Sequence, residues 1–152
     1  MIQTAILLEN KGSIESSTGL FKQIYQKAQE QENVGNIHSS IVIYRMAALD
    51  DHFYNDAMMS IIRDYTRLQQ NDLVMKTYDS QIDELENIST ESRFSHMDHI
   101  YVQKTLLTVL NEKALFLLNI KNYDDAIDTY TEIIRQDMFD KNAHLQRSLL
   151  LE

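Results

Sequence analysis

The chain has 152 residues and a formal net charge of -9, with no proline, no cysteine, no tryptophan and only three glycines, Gly12, Gly19 and Gly35. Sandwiches and barrels need turn residues at short intervals, so this composition excludes a sheet protein and predicts helices joined by short polar turns around an adequate apolar core. The missing cysteines exclude disulfides, thiol catalysis and thiolate-zinc sites and fit a reducing compartment, while the acidic balance argues against nucleic acid as a ligand.

Apolar residues recur at helical spacing, interrupted by polar clusters near Asn10–Ser13, Glu32–Asn36, Asp50–His52, Gln69–Asp72, Asn87–Ser92, Asn119–Asn122 and Asp137–Asp140. This punctuation predicts about eight helices, most of them 10 to 18 residues long. Ser13 stands as a candidate cap before Ile14. Asn122 stands before Tyr123, with Asp124 and Asp125 in the first turn, where the helix dipole favours carboxylates. Short turns predict that neighbouring helices pair as antiparallel hairpins. The N-terminus has no basic leader, and runs such as Ala5–Leu8 and Ala114–Leu118 fall short of the ~20 residues of a membrane span, so a soluble, cytoplasmic protein is expected.

Charge is uneven along the chain. Residues 1–76 hold 7 basic and 9 acidic groups, net -2, and residues 77–152 hold 7 and 14, net -7. The second half either faces a basic partner or simply carries a solvated acidic face.

The hairpins repeat. In 107–140, Ala114 and Leu117 precede an Asn-Ile-Lys-Asn turn, then come Tyr123, Ala126 and Tyr130, with Met138 eight residues beyond. Ala5, Leu8, Gly12-Ser13, Ile14, Ser17 and Phe21 keep the same spacing. Tyr54, Ala57 and Ile61 hold the corresponding places in a copy starting near His38, although Arg45 occupies its small-residue position. Starts near 38, 72 and 107 are 34 and 35 residues apart. Small residues let two helix backbones approach, and aromatic residues fill the ends of that contact.

This ordering resembles the tetratricopeptide repeat (TPR) family over essentially the whole chain. The resemblance implies an all-α, right-handed α-solenoid of antiparallel helix hairpins. It makes 1–152 a single domain with approximate repeats 1–36, 38–71, 72–106 and 107–140 and a terminal helix 141–152. In the third repeat the helix Leu73–Glu86 is expected to pair with a weaker one around Phe94–Val102. The chain departs from the family at Lys113, where leucine is expected, and at Met138 and Gln69, where proline is usual. More narrowly, the block from Tyr101 to Gln146 and the hairpin with Ile43–Tyr65 are similar to the C-terminal repeats of the TPR-bearing subunit of the TRAPP vesicle-tethering complex. That likeness lies in a long first helix before Leu118 and the TEIIRQD ending at Asp137. It implies a scaffold peripheral to endoplasmic reticulum and Golgi membranes, bound to other subunits of a complex.

In that family the first helix of each hairpin lines a concave groove. The groove positions implied here are Thr108, Asn111, Leu115, Leu118 and Asn119 in the last repeat, with Ser39, Val42, Met46 and Leu49 in the second. They lack the basic set that clamps a peptide carboxylate, which favours a helix or extended segment of a client, or a neighbouring subunit, as occupant. The terminal Leu149, Leu150 and Leu151 mark a second surface for partner binding or self-association. No phosphate loop, nucleophile elbow or other catalytic constellation is present, and no cofactor is expected. His96 and His99, with Glu91 or Asp98, would share a metal only if they lay on one helix face; a polar stretch is the expected reading, and no metal site is assigned. A helical metal-dependent hydrolase is the minor alternative to a non-catalytic scaffold.

Overall fold

The computed structural model describes residues 14–87 and 91–152, with side chains from residue 19 onward. Every regular element among them is an α-helix: α1 Ile14–Asn33, α2 Ile37–Ala47, α3 Asp51–Arg67, α4 Asn71–Glu86, α5 His99–Asn119, α6 Tyr123–Gln136 and α7 Lys141–Leu151. The fold is therefore all-α, as the scarcity of glycine and proline requires. The helix expected before Asn10, the Ser13 cap and the Gly12 turn lie outside the described residues.

The chain divides into two compact units, Met1–Thr77 and Tyr78–Glu152. The division falls inside α4, one residue beyond the middle of the chain. Thr77 is uncharged, so the first unit keeps net -2 and the second net -7.

In the first unit α1 packs on α2 and α2 on α3, and α1 also touches α3. Phe21, Ile24 and Ala28 of α1 share a buried core with Ile41, Tyr44 and Ala47 of α2 and with Tyr54, Ala57 and Ile61 of α3. Their spacing of three or four residues gives each helix one apolar face. Tyr25 adds an edge-on contact to Tyr44 with centroids 5.4 Å apart, and stacks on Phe53 at 5.6 Å.

The helix ends explain how a chain so poor in glycine turns. Gly35 closes α1 at φ 88°, with the Asn36 amide donating to Gln31 O at 2.9 Å and the Gly35 amide to Glu32 O at 3.1 Å. This is the Schellman arrangement. It recurs where α3 ends at Gln69, φ 57°, and where α5 ends at Lys121, φ 62°, although neither residue is glycine. The bonds from Gln70 to Tyr65 O and from Asn122 to Leu117 O, 3.0 and 2.9 Å, satisfy the last carbonyls. A proline at Gln69 is thus excluded, because its ring fixes φ near -65°.

In the second unit α5 packs on α6 and α6 on α7. Leu106, Val109, Leu110, Ala114 and Leu117 meet Ala126, Tyr130 and Ile133 in the core, with Ala143 of α7 also buried. Asn122 does cap α6, accepting from the Asp125 amide, and its own amide donates to the Asp125 carboxylate at 2.7 Å. Asp140 caps α7 through the Ala143 amide at 3.0 Å.

The helix expected around Phe94–Val102 does not form as such. Residues 91–98 run in turns, with Ser92 Oγ accepting from the Phe94 amide at 3.2 Å, and α5 begins only at His99. Serine side chains compete for backbone amides here, and the cap at Asp98, accepting from Ile100 at 2.7 Å, sets the start. From there α5 continues for 21 residues, so the repeat boundary expected at 106/107 falls within it. Lys113, in a leucine's expected place, is tied to Asp79 of α4 at 2.9 Å.

Candidate interaction surface

Thr108, Asn111, Leu115, Leu118 and Asn119 share one face of α5, since steps of three, four and three residues, and of four from Leu115 to Asn119, return near the same side of a helix. Leu115 is 58 % exposed, Leu118 and Asn111 are half-buried, and Thr108 and Asn119 are exposed. Thr108 and Asn111 donate back to the Lys104 and Leu107 carbonyls, at 3.0 and 2.9 Å, so this face carries little unsatisfied polarity. The opposite face, through Val109, Leu110, Ala114 and Leu117, is buried.

Ser39, Val42, Met46 and Leu49 form a comparable stripe along and just beyond α2 in the first unit. Val42 and Leu49 are exposed and Met46 half-buried. Beside it Arg45 donates to the Tyr65 hydroxyl. The long guanidinium thus sits over a ring of α3 in what the repeat pattern makes a small-residue position, and it does so while remaining largely in water.

The terminal leucines do not act as one patch. Leu149 and Leu151 are exposed and Leu150 is half-buried, because consecutive residues point about 100° apart. Leu145 and Leu149, four apart, share an exposed stripe instead. Met138 and Phe139, in the turn before α7, are more exposed still, Phe139 at 87 %.

An open cleft of about 510 Å³ lies in the second unit, lined by Leu85, Phe94, Val102, Leu106, Gln103 and Gln136 among others. Gln103 Nε2 donates to Gln136 Oε1 at 3.0 Å, joining α5 to α6 at its wall. Burial pushes the Glu86 carboxyl up, with neighbouring Glu132 adding to it, while a hydrogen bond from Arg135 holds Glu132 down. Sequence reasoning missed this cleft. Its signal was the near loss of the repeat pattern between Asp72 and Leu106.

The geometry imagined for a metal is absent. His96 lies in a turn and His99 opens α5, so they do not share a helix face, and the Asp98 carboxylate is engaged as a cap. Among the described residues no three His, Asp or Glu side chains are placed to hold a metal ion.

Sequence reasoning also missed a polar cluster inside the first unit. Asp64 of α3 is 0 % exposed, with its Oδ2 accepting from Ser40 Oγ of α2 at 2.6 Å. Glu32 of α1, its side chain 8 % exposed, accepts from Arg63 Nε at 3.0 Å and Nη2 at 2.7 Å and from the Tyr44 hydroxyl at 3.2 Å. Burial, with Glu32 as neighbour, pushes the Tyr44 hydroxyl up to about 12. Burial pushes Asp64 up to about 7, its hydrogen bond with Glu32 adding to the rise. Burial also works against an ionised Glu32, but the Asp64 and Arg63 hydrogen bonds outweigh it and hold that carboxyl below the usual range. The legible signal was Asp64 itself, a carboxylate in the register of Tyr54, Ala57 and Ile61.

No helix among the described residues is long and apolar enough to cross a membrane. No family model matches the chain and no curated protein matches it significantly, so its own residues carry the functional reading.

Proposed function

We propose that the protein is a non-catalytic interaction scaffold of TPR-like hairpins that works as a subunit of a multiprotein assembly. One observation carries this reading: α5 buries one face against α6 and holds Leu115, Leu118 and their amide and hydroxyl neighbours on the other. An apolar stripe with internally satisfied polar groups desolvates cheaply against a partner helix. The long α5 and the TEIIRQD ending of α6 support the narrower, TRAPP-like reading of a vesicle-tethering subunit in traffic between endoplasmic reticulum and Golgi. An adaptor holding varied client peptides is the competing reading, favoured by exposed Val42 on α2 and Leu49 just beyond it.

Affinity purification with quantitative mass spectrometry separates the two. Stoichiometric co-purifying subunits are expected for an assembly, and varied substoichiometric clients for an adaptor. Leu115→Glu with Leu118→Glu should abolish co-purification while circular dichroism shows a native helical content. Partner binding retained by the folded double variant refutes a role for α5, and Leu115→Glu alone, at an exposed position, provides the reading if the double variant unfolds.

A further inference from the structure

The Glu32–Asp64 cluster has no place in partner binding through α5, and its hydrogen-bond arithmetic is incomplete. Asp64 Oδ2 is satisfied by Ser40, but Oδ1 is enclosed and meets no N–H or hydroxyl donor. The nearest guanidinium nitrogen, Arg67 Nη1, stands 3.8 Å from Oδ1 and 3.9 Å from Glu32 Oε2, too far to bond either. Standing against both oxygens, Arg67 Nη1 brings Glu32 Oε2 and Oδ1 into one cluster, and the two carboxyl groups lie within hydrogen-bonding reach of each other. Two buried carboxylates within hydrogen-bonding reach cannot both ionise without strong repulsion, and a proton between them turns the repulsion into a charge-assisted hydrogen bond.

The proton belongs on Asp64. Glu32 is already committed as an acceptor to the Arg63 fork and to Tyr44, which favours its anion. Asp64 is the more deeply buried, and only a hydroxyl of its own leaves Oδ1 satisfied. The groups facing the pair come from all three helices: Glu32 from α1, Ser40 and Tyr44 from α2, Arg63 and Arg67 from α3 itself. Both arginines are about half in water, so their charges are screened and do not stabilise a second anion as a buried cation would.

We propose that Glu32 and Asp64 form a one-proton clasp that fixes the C-terminal end of α1 onto α2 and α3 while the proton is present and loosens it when the proton is lost. Glu32 lies one residue before Asn33, where α1 ends, so the clasp holds the entry to the Gly35 turn. Asp64 binds its proton more tightly in the folded chain than in the unfolded one, whose ordinary value is 3.8. The stability it contributes is fully present below that value and is lost as pH rises through about 7, then stays level.

The test compares the wild-type chain with Asp64→Asn, whose amide can donate to Glu32 at every pH. Urea unfolding of the full chain, followed by near-ultraviolet dichroism of its tyrosines, should show the wild-type folding equilibrium falling on the order of tenfold per pH unit between about pH 5 and 7 relative to the variant. Infrared difference spectra of the native chain should show a protonated-carboxyl band that disappears with a midpoint near 7 and is missing in Asp64→Asn. In Glu32→Gln the band should titrate at lower pH, because the neighbouring negative charge is gone. Parallel pH profiles in wild type and Asp64→Asn, or a band of the same midpoint that survives in that variant, overturn the clasp. If Asp64→Asn does not fold, an unmoved midpoint in Glu32→Gln overturns it instead.

Discussion

The same substitution, glycine to alanine, should have opposite effects at the two ends of α1. Gly19 lies within the helix and is exposed, and a methyl group added there meets nothing within 4 Å. Alanine at a helix interior position is about 1 kcal/mol better than glycine, so Gly19→Ala should stabilise by that amount. Gly35 also has open space around it, but its φ is 88°. The strain of a left-handed L-residue is about 1–2 kcal/mol. Reduced freedom of the unfolded chain offsets about 0.4–1 kcal/mol of this, leaving Gly35→Ala about 1 kcal/mol destabilised. Both positions belong to the first unit, so they report on one unfolding transition. With a urea dependence of about 1 kcal/mol per molar for so small a unit, the two midpoints should separate by about 2 M, with wild type between them. Midpoints that move in the same direction would show that crowding or loop contacts, rather than backbone conformation, govern these sites.

Lys121→Gly and Gln69→Gly should each stabilise by about 0.5–1 kcal/mol, since φ 62° and φ 57° are strained for side-chain-bearing residues; urea midpoints check this, and a loss of stability refutes it. Ala126→Leu should cost about 1–3 kcal/mol, because this fully buried position in the α5–α6 contact has no room for three more carbons; thermal unfolding by dichroism reads it. Asp98→Ala should cost about 1 kcal/mol by freeing the Ile100 amide, seen as faster hydrogen exchange in the first turn of α5.

Much of the helical framework was legible because local chemistry decides it. Asp50, Asn122 and Asp140 cap the helices that follow the polar clusters containing them, and Tyr54, Ala57, Ile61, Ala114, Ala126 and Tyr130 are all buried. The stretch from Glu91 to Asp98 was not legible as turns, since Phe94 and Val102 look like helix-face residues. There serine-to-backbone bonds and an aspartate cap win over a weak apolar period. The positions 42, 46, 108, 111, 115, 118 and 119 do fall on helix faces as spacing requires. What spacing alone does not reveal is a site joined across 32 residues. Glu32 and Asp64 meet only because α1, α2 and α3 fold onto one another; Glu32 reads in the sequence as an ordinary surface charge, and the apolar register of Asp64 names no partner.

The short connections between helices have a kinetic meaning. Residues 34–36, 48–50, 68–70 and 120–122 each join helices with three residues, and α1 with α2, α2 with α3, α5 with α6 and α6 with α7 are all neighbours in sequence as well as in space. Little loop entropy must be lost before native contacts form, which places refolding of each unit in the microsecond-to-millisecond range. With no proline anywhere in the 152 residues, the chain also lacks the isomerisation that gives many proteins a phase of tens of seconds. A urea dilution experiment should therefore reach the native signal without a slow tail.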